Sequence, residues 1–427
     1  MQIKKIHSQE IIDSRGFPAV AARLWLDNGQ MVQTSVPYSI PSSRYEAQQL
    51  KDNDQEKFEG QGISRAVSYV NELLAPKLIG VDPLKQKEID YWLKTADATE
   101  NKSRLGSNTM LVISQLILKA GAYASNLPVF RYLNRFFNAN FQSKIETDKV
   151  PTPIFNIING GKQANNDLNF QEFQVVPSSS LNFEKGYLMG LQIYHLLKQV
   201  LIYRKASVAL GDQGGFTPYF TSNIDAVEII RETINNQRLK LGMEVFMGID
   251  FSASTYYTNQ KYLIKEKSHP LNPGEYFDYI TPLINNNSLI FVEDPFDAED
   301  LSNWKKITEK FGKEIYIVGD DLVGGNFKRM EKIIKEKACN STIIKPYQIG
   351  TITETLELVD LLRKNNISYS ISGGNSETND DIIADISVAL QPDFIKFGAP
   401  SRGERVSKYN RLWDIERNEM NKVVVSS

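Results

Sequence analysis

The sequence predicts an α/β protein: a modified (β/α)8 barrel with an N-terminal α+β domain capping it. Three observations point there. First, from Val150 onward short apolar runs recur, each ending in a polar or charged residue and each followed by a helical pattern. They are VFMGID closing on Asp250, LIFVED reaching Glu293, IYIVGD closing on Asp320, TIIK on Lys345, YSIS on Ser372 and DFIK on Lys396. Their ends lie 43, then 27, 25, 27 and 24 residues apart, and one strand, one helix and two short loops need roughly 25. Second, the chain opens with alternating segments at 19–26 and 31–36 joined around Asp27-Asn28-Gly29, a strong hairpin signal, and then turns helical. Third, residues 137–149 are polar and rich in Asn and Lys, and they read as an exposed connection dividing residues 1–145 from 146–427.

Taken in order, the opening hairpin and the helical periodicity at 64–74, 83–94 and 109–124 make a small α+β domain. In the second part, successive strand-helix units favour a parallel sheet covered by helices. Six strand ends in a row favour closure into a barrel over an open sheet. The wide gap after Asp250 can hold an insertion at 256–273. The units share no side-chain signature, so the period belongs to the fold and not to a solenoid.

The 427 residues suffice for two domains, and 41% hydrophobic with 23% charged residues is ordinary globular composition that can bury a sizeable core. Basic and acidic residues number 49 and 51, a net −2 without long runs of either sign, which gives no electrostatic case for nucleic acid or an anionic membrane. The basic stretch at 328–337 alternates with acids and reads as a solvated helix face. One cysteine, Cys339, excludes an internal disulfide framework and fits a reducing compartment. The opening MQIKKIHSQE has no apolar stretch after its lysines, so no secretory signal is expected. No apolar run approaches the roughly 18 to 20 residues that span a bilayer. The expectation is a cytoplasmic protein without a membrane partner.

Active sites of such barrels lie at the C-terminal ends of the strands, where this sequence puts Asp250, Glu293, Asp320, Lys345 and Lys396 in order. Three carboxylates converging on one mouth repel one another unless a cation sits between them. Oxygen ligands without His or Cys select Mg²⁺ or Mn²⁺ over zinc. A lysine facing that cation in a pocket is expected to have its pKa pushed down, which makes it a base.

The same residues sit in motifs that run through nearly the whole chain. EIIDSRGFPAV (10–20), TENKSRLGSNTMLVIS (99–114), INGGKQANNDLNFQEF (158–173) and GDQGGFTP (211–218) come first. VEDPFDAEDL (292–301), VGDDLVGGN (318–326), KPYQIGTITET (345–355) and IKFGAPSRGERVSKYNRLWDIE (395–416) follow. In this order they resemble the enolase family. The resemblance implies an enolase-type barrel with its capping domain, a homodimer, and dehydration of 2-phosphoglycerate to phosphoenolpyruvate. By position it implies Asp250, Glu293 and Asp320 as Mg²⁺ ligands, Lys345 as the base and Lys396 as a second lysine contacting the substrate carboxylate. Gln171 and Ser372 are tentative substrate contacts on the same ground.

Other positions depart from the family, and every departure falls on substrate chemistry. The family's glutamate in Gly-Asp-Glu-Gly-Gly is Gln213, and an amide cannot act as a general acid. The Ser-Gly-Ala-Ser-Thr loop that helps bind a second metal reads Tyr38-Ser39-Ile40-Pro41-Ser42, with Pro41 in place of the metal-contacting serine. The histidine after Asn-Gly-Gly is Gln163, and the phosphate-gripping Ser-His-Arg-Ser run is Ser372-Gly373-Gly374-Asn375. Bidentate guanidinium contacts are hard to replace, so losing that arginine weighs most. His7, His195 and His269 lie outside the motifs and read as structural or exposed.

Random drift would strike metal ligands and substrate grips alike, but here the three ligands and both lysines are intact while the acid and the phosphate grip are replaced together. The leading expectation is therefore a Mg²⁺-dependent enzyme with one metal site that removes the proton α to a carboxylate of something other than 2-phosphoglycerate. Glu172 becomes the remaining candidate acid and Arg44 a candidate anion contact. Gly373-Gly374 and Gly324-Gly325 are expected to open room for a different or larger substrate. A phosphate-cradling loop at 373–377 is a weak signal without a P-loop lysine. The C-terminal lysine through which some enolases bind plasminogen has no counterpart in the closing VVVSS. An inactive paralogue with a binding role and an authentic enolase are the alternatives.

Overall fold

The computed structural model describes residues 1–39 and 41–420. The closing VVVSS, and Ile40 of the altered loop, lie outside the described residues. The chain opens with a three-stranded antiparallel sheet of β1 (Ile3–Ile12), β2 (Pro18–Leu26) and β3 (Met31–Val36). The expected hairpin is β2–β3, while β1 has only every third or so residue buried and so lacks the alternation that would have announced it. Helices follow at Gln86–Asp97, Ser107–Ala124 and Val129–Asn140, the last running into the stretch expected to be a connection. Ser107–Ala124 is apolar on nearly all sides and packs on β2 and β3, which makes it the core of the capping layer.

The second part is a closed eight-stranded barrel, as the spacing predicted. Its strands are β4 (Thr152–Asn159), β5 (Glu172–Pro177), β6 (Val245–Asp250), β9 (Leu289–Glu293), β10 (Tyr316–Gly319), β11 (Ser341–Ile344), β12 (Ser368–Ser372) and β13 (Phe394–Lys396), with the ribbon β7 (Tyr257–Thr258) and β8 (Lys261–Tyr262) inside the expected insertion. The barrel is not uniformly parallel. β5 runs antiparallel to both β4 and β6, because the short loop between β4 and β5 leaves no length for a crossover helix. That reversal matters for the site. It brings the first residue of β5, Glu172, into register with Asp250 at the end of β6, and Asp250 with Glu293 at the end of β9. Beneath them Ile154, Val176, Phe291, Val318, Ile343 and Phe394 close the barrel with an apolar layer.

Asp90 fastens the cap to the barrel. Its Oδ2 accepts bonds from Gln86 Nε2 (3.0 Å), the Thr353 amide (2.9 Å) and Thr353 Oγ1 (2.6 Å). Burial nevertheless pushes its carboxyl up from 3.8 to about 6, against those hydrogen bonds. Between these values the folded chain holds a proton that the unfolded chain has released, so stability falls as pH rises from about 4 to 6, by roughly 3 kcal/mol in all. Urea unfolding at pH 4.5 and 6.5 should show this loss in the wild type and lose most of that slope in Asp90→Asn. An unchanged slope in the variant contradicts the assignment.

Candidate functional site

A cavity of about 250 Å³ lies at the mouth of the barrel, lined by Glu172, Asp250, Asp320, Lys345 and Lys396 with the loop residues Pro41 and Ser42. Glu293 lies directly beneath it, fully buried. Lys396 Nζ sits among three carboxylates, 2.6 and 2.8 Å from Glu293 Oε2 and Oε1, 3.3 Å from Glu172 Oε2 and 3.7 Å from Asp250 Oδ2. Lys345 Nζ donates to Asp320 Oδ2. Strand geometry explains the convergence, since Ser372 and Lys396 are in register and Asp320 and Lys345 each stand one residue past their strands.

Electrostatics follow from crowding in a dry place. Burial, then the neighbouring Glu293, raises the Asp250 carboxyl well above its ordinary range. Burial pushes Glu293 up to about 7, with Lys396 opposing and Asp320 reinforcing. For Lys345 burial alone would favour the neutral amine, but Asp320, Tyr347 and Glu293 outweigh it and hold the ammonium well above its ordinary value. The expected lowering belongs to a lysine facing a bound cation, whose charge would offset these carboxylates.

The donor set suits a hard divalent cation. Asp320 Oδ1 is buried and has no hydrogen-bond partner, the feature of an oxygen waiting for a ligand. Asp294, Asp320 and Asp321 form a buried carboxylate cluster, with one oxygen of each within 4.8 Å of the others. Asp294, however, accepts the backbone N–H of Asp320 (3.0 Å) and Asp321 (2.7 Å), so it braces the turn that aims Asp320. Asp321 Oδ1 in turn accepts the Ser42 hydroxyl at 2.5 Å. Asp320, with Oδ1 unpartnered, stands at the mouth with Asp250, while both Glu293 oxygens are bonded to the Lys396 ammonium. Sequence reading passed over Asp294 and Asp321, although each stands next to a strand-end acid in VEDP and VGDD.

The altered positions meet in one network. Gln163 Nε2 donates to Glu172 Oε1 and to Asn375 Oδ1, both at 3.0 Å. Gln213 Nε2 donates to the same two oxygens at 2.5 and 2.9 Å. Gln174 Nε2 reaches Glu172 Oε2 at 2.9 Å, and Asn159 Nδ2 holds Gln163 Oε1. Burial would raise Glu172, but Lys396 and the Gln163 and Gln174 amides outweigh it and hold the carboxyl below its ordinary value. Glu172 thus accepts three side-chain amide bonds in this network.

Other expectations need correction. Arg44 does not line the cavity; its exposed guanidinium pairs with Glu299 at 2.7 Å and lies over Tyr45. The glycines open no room. A Cβ on Gly374 would stand 2.9 Å from the Tyr347 hydroxyl, and one on Gly373 2.7 Å from Glu377 Oε1. Gly324 and Gly325 likewise face Ser43 and Ile349 at 3.0 and 2.9 Å. Ser372 Oγ lies 2.8 and 2.9 Å from the carbonyl oxygens of Gly373 and Lys396, and Gln171 Nε2 donates to Asp250 Oδ2 at 3.2 Å. His7, His195 and His269 are exposed and outside the cavity.

Restoring the arginine alone should therefore fail. Gly374→Arg is expected to lower stability by about 1–3 kcal/mol through overpacking against Tyr347, read as a drop in Tm. Tyr347→Ala in the same chain should recover part of it. A Gly374→Arg protein of unchanged Tm contradicts the packing argument.

The family described as "Enolase, C-terminal TIM barrel domain" matches residues 147–426, and "Enolase, N-terminal domain" matches residues 3–133. The chain is 39% identical over 415 residues to the enolase of Ehrlichia chaffeensis, covering 97% of this chain and 96% of that protein. It is 38% identical over 415 residues to the enolase of Ehrlichia canis, with the same coverage, and 37% over 417 residues to that of Ehrlichia ruminantium, covering 98% and 96%. With both domains matched and nearly every residue aligned to proteins of that name, the chain belongs to the enolase family.

Proposed function

We propose that this chain is a Mg²⁺-dependent enzyme that removes the proton α to a carboxylate, on a substrate other than 2-phosphoglycerate. The observation that carries this reading is the amide network of Gln163, Gln213 and Asn375 around Glu172. Three departures from the family interlock there, and independent decay does not produce residues that bond one another. The enolase family binds Mg²⁺ and a small carboxylate. In this reading Asp250, Glu293 and Asp320 hold the ion, residues 146–427 form the catalytic barrel and residues 1–145 cap it. When bound there, the cation supplies charge stabilisation to the substrate carboxylate and offsets the negative field that holds the Lys345 proton.

Lys345 lines the cavity and takes the α-proton onto Nζ once that field is offset. Lys396, held by Glu293 and Glu172, orients the substrate carboxylate from below. Glu172 keeps the Gln163 and Gln213 amides aimed, and neither amide can release a proton to a leaving hydroxyl. A homodimer in the cytoplasm belongs to the same reading and rests on family membership; among the described residues no helix is long and apolar enough to cross a membrane.

Deuterium uptake at the α-carbon of small carboxylic acids, followed by NMR in D₂O with Mg²⁺, tests the proposal. Uptake by some acid supports it. Its absence across hydroxy, dicarboxylic and phosphorylated acids sinks it. A second reading, an authentic enolase, is favoured by near-full-length identity to proteins named enolase. Brisk formation of phosphoenolpyruvate would select it.

A further inference from the structure

Four cationic side chains line the cavity: Arg15, Lys162, Lys345 and Lys396. Three of them are already matched. Arg15 Nε pairs with Asp212 at 3.3 Å, Lys345 with Asp320, and Lys396 with Glu293 and Glu172. A fifth cation close by, Arg405, is fully buried and gives its guanidinium to the Gly374 and Asn375 carbonyls at 2.6 and 2.7 Å. Lys162 differs: it is an exposed side chain on the lining, and it forms no ion pair with a carboxylate among the described residues. Asp321 is raised by burial and by Asp320, with Lys162 only a minor opposing charge.

The short turn Gly161–Gln163 sets the direction of Lys162. Gly161 has φ +53°, and a Cβ there would press on the backbone of Asn169 and Gln171 at 3.2 and 3.3 Å, so the turn lies tightly on the strand that delivers Glu172. Next to it Gln163 is tied into the amide network. Asn375 Oδ1 accepts two amide bonds, which leaves its own exposed NH₂ group without a partner among the described residues. The far wall of the cavity therefore carries one uncompensated positive charge and spare amide N–H donors.

We infer that this wall takes a second carboxylate, so that the substrate is a small dicarboxylic acid gripped at its far end by Lys162. The inference rests on the function proposed above and names its substrate class. One ammonium with neutral amide donors balances a monoanion. A phosphate dianion would leave charge uncompensated beside Asp212 and Asp321, because the one guanidinium lining the cavity, Arg15, already has its charge matched by Asp212. The cavity volume of about 250 Å³ suits a molecule of few carbons.

Calorimetric binding of succinate and butyrate to the Mg²⁺-loaded protein separates this inference from the proposed chemistry, because no turnover is needed. Succinate is expected to bind about tenfold tighter or more. Lys162→Met should erase that preference while leaving butyrate unchanged, and Lys162→Arg should keep most of it. Succinate binding no tighter than butyrate, or a Lys162→Met protein that loses both alike, overturns the inference. Absence of α-proton exchange alongside a Lys162-dependent succinate preference would refute the chemistry and leave the grip standing.

Discussion

Lys345→Ala abolishes α-proton exchange with every acid that the wild-type protein exchanges, while the protein stays folded. The expected loss is at least about 10²- to 10⁴-fold, the contribution of a positioned general base. Geometry gives the reason. Lys345 stands one residue past β11, buried, with Nζ on Asp320 and its amine opening on the cavity. Lys396 cannot substitute, because its ammonium is held by Glu293, Glu172 and Asp250. Far-ultraviolet circular dichroism checks the fold and NMR the exchange. A variant that still exchanges within tenfold of the wild type would place the base elsewhere.

Lys396→Met should have the largest effect on stability. It leaves three carboxylates, Glu172, Asp250 and Glu293, buried together without their shared ammonium. Breaking a buried ion cluster by removing one partner costs about 3–5 kcal/mol. The penalty has a sign in pH. Glu293 is already pushed up to about 7 by burial, so the folded state prefers its protonated form. Stability must therefore fall as pH rises through the range where Glu293 ionises, and more steeply once Lys396 no longer opposes that rise. Denaturant unfolding at pH 6 and pH 8 in Mg²⁺-free buffer should show a greater deficit at pH 8. Adding Mg²⁺ should narrow it, because an ion bound only by the folded state stabilises that state by mass action. A deficit under 1 kcal/mol at both pH values contradicts the description of the cluster.

What sequence could and could not reveal follows from how each contact is made. Asp250, Glu293, Asp320, Lys345 and Lys396 were legible because a barrel converts regular spacing into convergence at one end. Glu172 was legible only as a family position. Its place beside Asp250 depends on β5 running backwards, and spacing does not encode strand direction. The amide network was hidden because its members are far apart in the chain, Gln163 and Asn375 by 212 positions and Gln213 and Asn375 by 162. Each looked like a separate loss. In space both glutamines donate to Asn375 Oδ1 and to the Glu172 carboxylate.

Arg44 and the glycines were misjudged for a related reason. Nearness to an altered loop does not say where a side chain goes, and Arg44 turns outward to Glu299. Removing a side chain at Gly374 does not create space when Tyr347 fills it. Tyr347 itself, inside the KPYQIG motif, carried no signal of that role.

The account stands most directly on one assay, the absorbance of phosphoenolpyruvate formed from 2-phosphoglycerate with saturating Mg²⁺. The account predicts turnover slower than that of an Ehrlichia enolase by roughly 10²- to 10⁴-fold, since Gln213 has no proton to give and no arginine grips the phosphate. Turnover within tenfold of that relative would contradict it, and would make the amide network a variant way of building an ordinary enolase.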